Sequence, residues 1–96
     1  MKFKNRRLIS KGVASRVGPL LQLFMWQCID EMPEPKDYLQ VFRLTGEVGK
    51  QRVCHSQEVS RYEREYLLYT DASFFVGKIY VIDSGGYTTM LLSSEY

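Results

Sequence analysis

Val17-Gly18-Pro19-Leu20-Leu21-Gln22-Leu23-Phe24-Met25-Trp26-Gln27-Cys28-Ile29-Asp30-Glu31-Met32-Pro33 carries both ends of a helix and the face that the helix buries. Gly18 stands at the cap and Pro19 at the first helical position, where its missing N–H costs nothing because first-turn N–H groups have no partner within the helix. Pro33 and Pro35 stop the helix, since the residue before a proline is pushed out of the α region. The spacing predicts a helix from Pro19 through Leu20 to about Met32. At about 100° per residue, Leu20, Leu21, Phe24, Met25, Cys28, Ile29 and Met32 fall in one stripe about half the circumference wide. That stripe is the expected core face, with Cys28 near its middle. Gln22, Gln27, Asp30 and Glu31 face the other way. Leu23 and Trp26 fall among these polar residues, three apart and therefore neighbours on the helix surface.

Outward from this helix the chain reads as strands. Residues 6–15 are expected to form a first strand, weakened by Gly12. Residues 38–45 and 51–59 are strands joined by the turn Gly46-Glu47-Val48-Gly49, hence a hairpin. The run from Glu65 to Tyr69 reads as a strand after a loop or a single turn. Residues 74–82 are apolar on both alternating faces, as in a central strand. They are joined to residues 87–92 by Asp83-Ser84-Gly85-Gly86, whose glycines permit positive φ. The expected fold class is α+β, one main helix packed on a mostly antiparallel sheet of five or six strands.

Ninety-six residues make one domain, 1–96, with residues 1–7 as a candidate flexible basic arm. At 11.2 kDa the chain should expose about 5,700 Å² when folded, and about 65% of the unfolded surface is buried. One core of this size leaves little room for a deep catalytic cleft as well. The composition is 45% apolar and 25% charged, which argues against disorder. The run from Leu20 to Ile29 is too short to span a bilayer, so no membrane association is expected. With no apolar signal region after the basic N-terminus, the protein reads as cytoplasmic, with Cys28 and Cys54 reduced. One histidine and two cysteines do not suit a four-ligand zinc site, and no metal or cofactor is expected.

Charge is unevenly placed. Lys2, Lys4, Arg6, Arg7, Lys11 and Arg16 lie within the first 16 residues without an acid, while the rest of the chain is net acidic. Lys2, Lys4, Arg6, Arg7 and Lys11 are therefore candidate contacts for phosphates or an acidic partner. No aromatic cluster interleaves them, as a nucleic-acid surface would favour.

The stretches Leu21-Gln-Leu-Phe-Met-Trp-Gln-Cys-Ile-Asp30, Asp37-Tyr-Leu-Gln-Val-Phe42, His55-Ser-Gln-Glu-Val59, Lys78-Ile-Tyr-Val-Ile-Asp83 and Tyr87-Thr-Thr-Met-Leu-Leu92 resemble domain of unknown function family 960. The resemblance covers most of the chain from about residue 8. It implies a cytoplasmic protein of Gram-positive bacteria and supplies no activity. The family pattern places a proline after the Gln-Glu-Val segment, where this chain has Ser60.

Cys54, His55 and Glu58 suggest nucleophilic chemistry until their spacing is considered. Adjacent residues of a strand point to opposite faces, so His55 cannot activate Cys54 within one strand. His55 and Gln57, beside Val53 and Val59, suit a hydrogen-bonded structural histidine. The alternative is a polar site of His55, Gln57 and Glu58 serving a small enzyme. Cys28, centred in the apolar stripe, is expected to be buried and unreactive. The carboxylate pairs Asp30/Glu31 and Glu63/Glu65 sit in polar stretches with nothing to tune them. Leu23 and Trp26 are the candidate partner-binding pair, because an exposed Trp beside a Leu is typical of contact anchors. Unless another segment covers them, they favour a non-enzymatic protein-interaction module, with a second copy of the chain as one candidate partner. A nucleic-acid-binding accessory protein using the basic arm is the alternative.

Overall fold

The computed structural model describes residues 2–71 and 73–96. Among them, β1 (Arg6–Ile9), α1 (Lys11–Arg16), α2 (Pro19–Glu31), β2 (Leu39–Glu47), β3 (Lys50–Gln57), β4 (Tyr62–Tyr69), β5 (Gly77–Asp83), β6 (Tyr87–Leu92) and a terminal 3₁₀ turn, Ser93–Glu95, follow in order. The strands form one mixed sheet in the order β1-β6-β5-β2-β3-β4. Only β1 and β6 run parallel; the other neighbours are antiparallel. The fold is α+β, with α2 its one long helix. The accessible surface is 6035 Å², close to the size-based expectation.

Alternation fixes the buried face. Phe42 and Leu44 of β2, Val53 of β3, Ile79 and Val81 of β5, and Met90 and Leu92 of β6 all point inward. Met25, Cys28 and Ile29 of α2 close over them, with Phe24 edge-on to Tyr66 at 5.2 Å. Leu20, assigned to the core stripe by its angle, is instead 82% exposed. It sits on the first helical turn, at the mouth of a cleft.

Residues 6–15 are not one strand. β1 ends at Ile9, and Ser10 caps α1 by accepting a hydrogen bond from the Val13 N–H at 3.1 Å. Glu95 fixes this corner from the far end of the chain, accepting from the Gly12 N–H and the Ser10 hydroxyl. Val13 and Val17, four apart, are buried together. A Cβ on Gly12 would lie 2.6 Å from the Leu92 Cδ1 and 2.7 Å from the Glu95 carboxyl, so a larger residue here would displace the side chain that holds this corner.

Of the expected basic arm, residues 1–7, residue 1 lies outside the described residues, and Phe3, Asn5 and Arg7 are tied to the body of the fold. Phe3 is buried despite a positive φ of 65°, a costly conformation for a bulky residue. Its N–H donates to Asp83 at 2.7 Å, and Asn5 Nδ2 donates to the same carboxylate and to the Gly85 carbonyl. Burial pushes against ionisation of Asp83, but these hydrogen bonds hold its pKa below the usual value.

The run 74–82 also divides. β5 starts only at Gly77, whose φ of +153° suits glycine; an added Cβ would meet the Phe75 ring at 3.0 Å. Phe75 is buried ahead of the strand, its N–H donating to Gln51 Oε1 at 2.7 Å.

Candidate functional site

Three regions hold the residues that the sequence singled out. The first is the outer side of α2. Leu23 is 63% exposed, as its position among glutamines and acids suggested. Trp26 is not: it is half-buried and packs on the edge of the core. Arg7 covers it, the guanidinium lying 4.7 Å from the ring centre. The same guanidinium makes a two-pronged ion pair with Asp30 and donates to the Phe3 carbonyl. Burial works against the Asp30 charge, but the hydrogen bond and positive charge of Arg7 keep its pKa below the usual value. The helical wheel of α2 could not show this cover, because it comes from β1. Leu23 and Trp26 therefore differ: one is exposed, the other is half-buried beneath Arg7.

The second region is the cleft at the start of α2, about 400 Å³ in volume. Leu20, Leu21 and Phe24 form one wall, Leu68 and Tyr69 at the end of β4 another, and Phe74 and Phe75 the third. Gln51 supports that third wall. Its side-chain amide donates to the carbonyls of Thr45, Arg52 and Phe75 while accepting from the Phe75 N–H. Tyr69 at the rim is 76% exposed. The sequence reading missed this cleft, because Leu20, Leu68 and Phe74 lie far apart in the chain and meet only in the tertiary fold.

The third region surrounds His55, which is 0% exposed. Its ring stacks on Phe42 at 4.4 Å and meets Tyr62 edge-on at 5.3 Å. His55 Nε2 lies 2.6 Å from Gln40 Oε1. Gln40 Nε2 donates to the Asp37 carbonyl and to Gln57 Oε1, so Gln40 Oε1 must accept and His55 Nε2 must carry the proton. Gln57 completes the chain, donating to the carbonyls of Pro35 and Ser60 and accepting from the Asp37 N–H. His55 Nδ1 is left without a hydrogen-bond partner. Burial pushes the imidazole pKa down to about 4, so the ring is neutral at physiological pH. Glu58 is exposed on the following turn and joins none of these bonds. The polar trio thus separates into a buried His55–Gln57 core, linked through Gln40, and a surface carboxylate.

Cys54 lies on the opposite face of β3, its thiol 3.6 Å from the Glu63 carboxylate. Burial, the hydrogen bond to Glu63 and the negative charges of Glu63 and Glu65 raise its pKa. Those carboxylates oppose a thiolate and leave it a poor nucleophile at neutral pH. Cys28 is buried under α2, and desolvation pushes its pKa up to about 11, against a hydrogen bond with Tyr66. Among the described residues no group of three or more His, Cys, Asp or Glu is placed to hold a metal ion. No described helix is long and apolar enough to cross a membrane. Lys2, Lys4, Arg6 and Lys11 remain exposed, while Arg7 is engaged with Asp30 and Trp26.

The architecture is that of a small α+β domain with one helical layer on a mixed sheet and an apolar cleft at one corner. The chain belongs to domain of unknown function family 960, described as a staphylococcal protein of unknown function, whose model matches residues 6–95. It is similar to a protein of unknown function from Enterococcus faecalis, known from a crystal structure, with 30% identity and a TM-score of 0.84. That similarity covers 99% of this chain and 93% of the enterococcal one. Comparison with curated proteins gives no match.

Proposed function

We propose that this protein is a non-enzymatic interaction module that docks a protein partner on the exposed first turns of α2. The observation that carries the reading is the pair Leu20 and Leu23, 82% and 63% exposed. They are three residues apart on a helix whose neighbouring aromatic, Trp26, is already covered by Arg7. Two exposed leucines at this spacing form the kind of stripe that one partner element buries. Tyr69 and Phe74, across the cleft from Leu20, extend the apolar area. His55, the residue best suited to acid–base work, is closed inside a glutamine network and held neutral. A cytoplasmic setting in a Gram-positive bacterium fits the two unpaired thiols and the staphylococcal and enterococcal relatives.

A second copy of the chain is the first partner to test. Sedimentation of wild type and Leu23→Asp over a concentration series should show association in the first and a monomer in the second. Leu23 is exposed, so the substitution should leave the fold intact. A wild type that stays monomeric throughout removes the second copy as the partner.

A further inference from the structure

We propose that the cleft beside α2 is a binding site for a small apolar carboxylate. The site juxtaposes an apolar chamber of about 400 Å³ with the guanidinium of Arg16, the one charged side chain among the described residues of its lining. That volume lies within the range of small-molecule pockets, which are mostly apolar with a few polar groups that fix orientation. Leu21, Phe24, Leu68, Phe74 and Phe75 supply the apolar surface. The floor is rigid because Gln51, itself buried, holds Phe75 through both its N–H and its carbonyl. The chamber is therefore preformed, which lowers the ordering cost of binding.

Charge selects the ligand head. Arg16 ends α1 with its guanidinium 5.4 Å from the centre of the Phe75 ring, and it makes no hydrogen bond or ion pair with a described residue. Its positive charge favours the ionised form of Glu95, but that carboxylate is occupied by Ser10, Gly12 and Leu92. The planar guanidinium fork thus remains open to a carboxylate, which it can meet with two parallel hydrogen bonds. An amine head would meet the same positive charge and be repelled. The apolar tail would lie along Leu21, Phe24 and Leu68.

The test titrates isotope-labelled full-length protein with decanoate, decanamide and decylammonium below their micelle concentrations, followed by amide NMR. Decanoate should shift the amides of Leu20, Leu21, Leu68 and Phe75 in a saturable way. It should bind about five-fold more tightly than decanamide, the contribution of an exposed charge-assisted pair, and decylammonium should bind most weakly. Arg16→Gln should bring decanoate down to the affinity of decanamide. Leu20→Glu, at an exposed rim position, should weaken decanoate and spare decanamide. Equal affinity for the three probes, or shifts confined to residues outside the cleft, would overturn the proposal. Leu23→Asp should leave decanoate binding unchanged, so this site and the protein-docking surface fail or stand separately.

Discussion

The guanidinium of Arg7 lies 4.7 Å from the ring centre of Trp26 while its nitrogens grip the Asp30 carboxylate, so one β1 side chain caps two residues of α2. Trp26 is the chain's single tryptophan, which makes the cap directly observable. Arg7→Ala should shift Trp26 emission to the red and increase its quenching by acrylamide. The stability loss should be about 1 kcal/mol, from a partly exposed cation–π contact and ion pair. Unchanged emission would mean that Arg7 does not cover the ring in solution.

His55 sets a pH limit on stability. It is the only histidine, and its folded-state pKa is lowered to about 4 from 6.5. Between those values the unfolded chain binds a proton that the folded chain refuses. The contribution is therefore fully present above pH 6.5 and is lost as pH falls towards 4. The loss amounts to about 3 kcal/mol. Urea midpoints measured from pH 7 to pH 4 should fall in wild type and stay nearly level in His55→Phe. Asp30 and Asp83, whose pKa values are lowered, should add their own losses below this window, and Glu95, lowered from 4.5, should begin to add its loss at the window's lower end in both proteins.

Gln51 links β3 to the wall of the cleft. Gln51→Leu should cost about 2 kcal/mol, because buried carbonyls and the Phe75 N–H lose their partner. Hydrogen exchange should accelerate most at Phe75 and much less at Phe42, which lies behind the His55 network. Uniform acceleration across the sheet would show that Gln51 supports the whole fold, with no special hold on the cleft.

The two thiols should separate kinetically. Cys54 is half-exposed, and Cys28 is buried with its pKa pushed up to about 11. A disulfide reagent should modify one thiol per folded chain, at Cys54, and reach Cys28 only on unfolding. Rapid modification of both would place the Cys28 side of α2 in contact with solvent.

Much of the fold was legible in short-range pattern. Pro19, Pro33 and the apolar spacing located α2 to within a residue, and the glycine-bearing turn after Asp83 located the β5–β6 hairpin. The Cys54–His55 alternation placed the thiol and the ring on opposite faces, as the strand geometry has them. What escaped depends on distant contacts. α1 was hidden because Gly12 reads as a weak strand residue, yet it is set by Glu95 at the other end of the chain. Trp26 looked exposed because its cover comes from Arg7. Gln57 was placed beside His55 by the alternation, but Gln40 and Gln51 were not recognised as interior residues, although each keeps phase with buried neighbours: Gln40 with Phe42, and Gln51 with Val53 and His55. A buried glutamine has no local signature beyond that phase, since the partners that hold it inside come largely from other segments: His55 and Gln57 for Gln40, and Phe75 for Gln51.

The interaction surface itself is tested most directly by placing a photoreactive amino acid at position 23 in producing cells, with position 84 as an exposed control. The account predicts a discrete covalent adduct from position 23 and none from position 84, at twice the chain mass if the partner is a second copy. Irradiation that gives no adduct at position 23, or the same adducts at both positions, would contradict it.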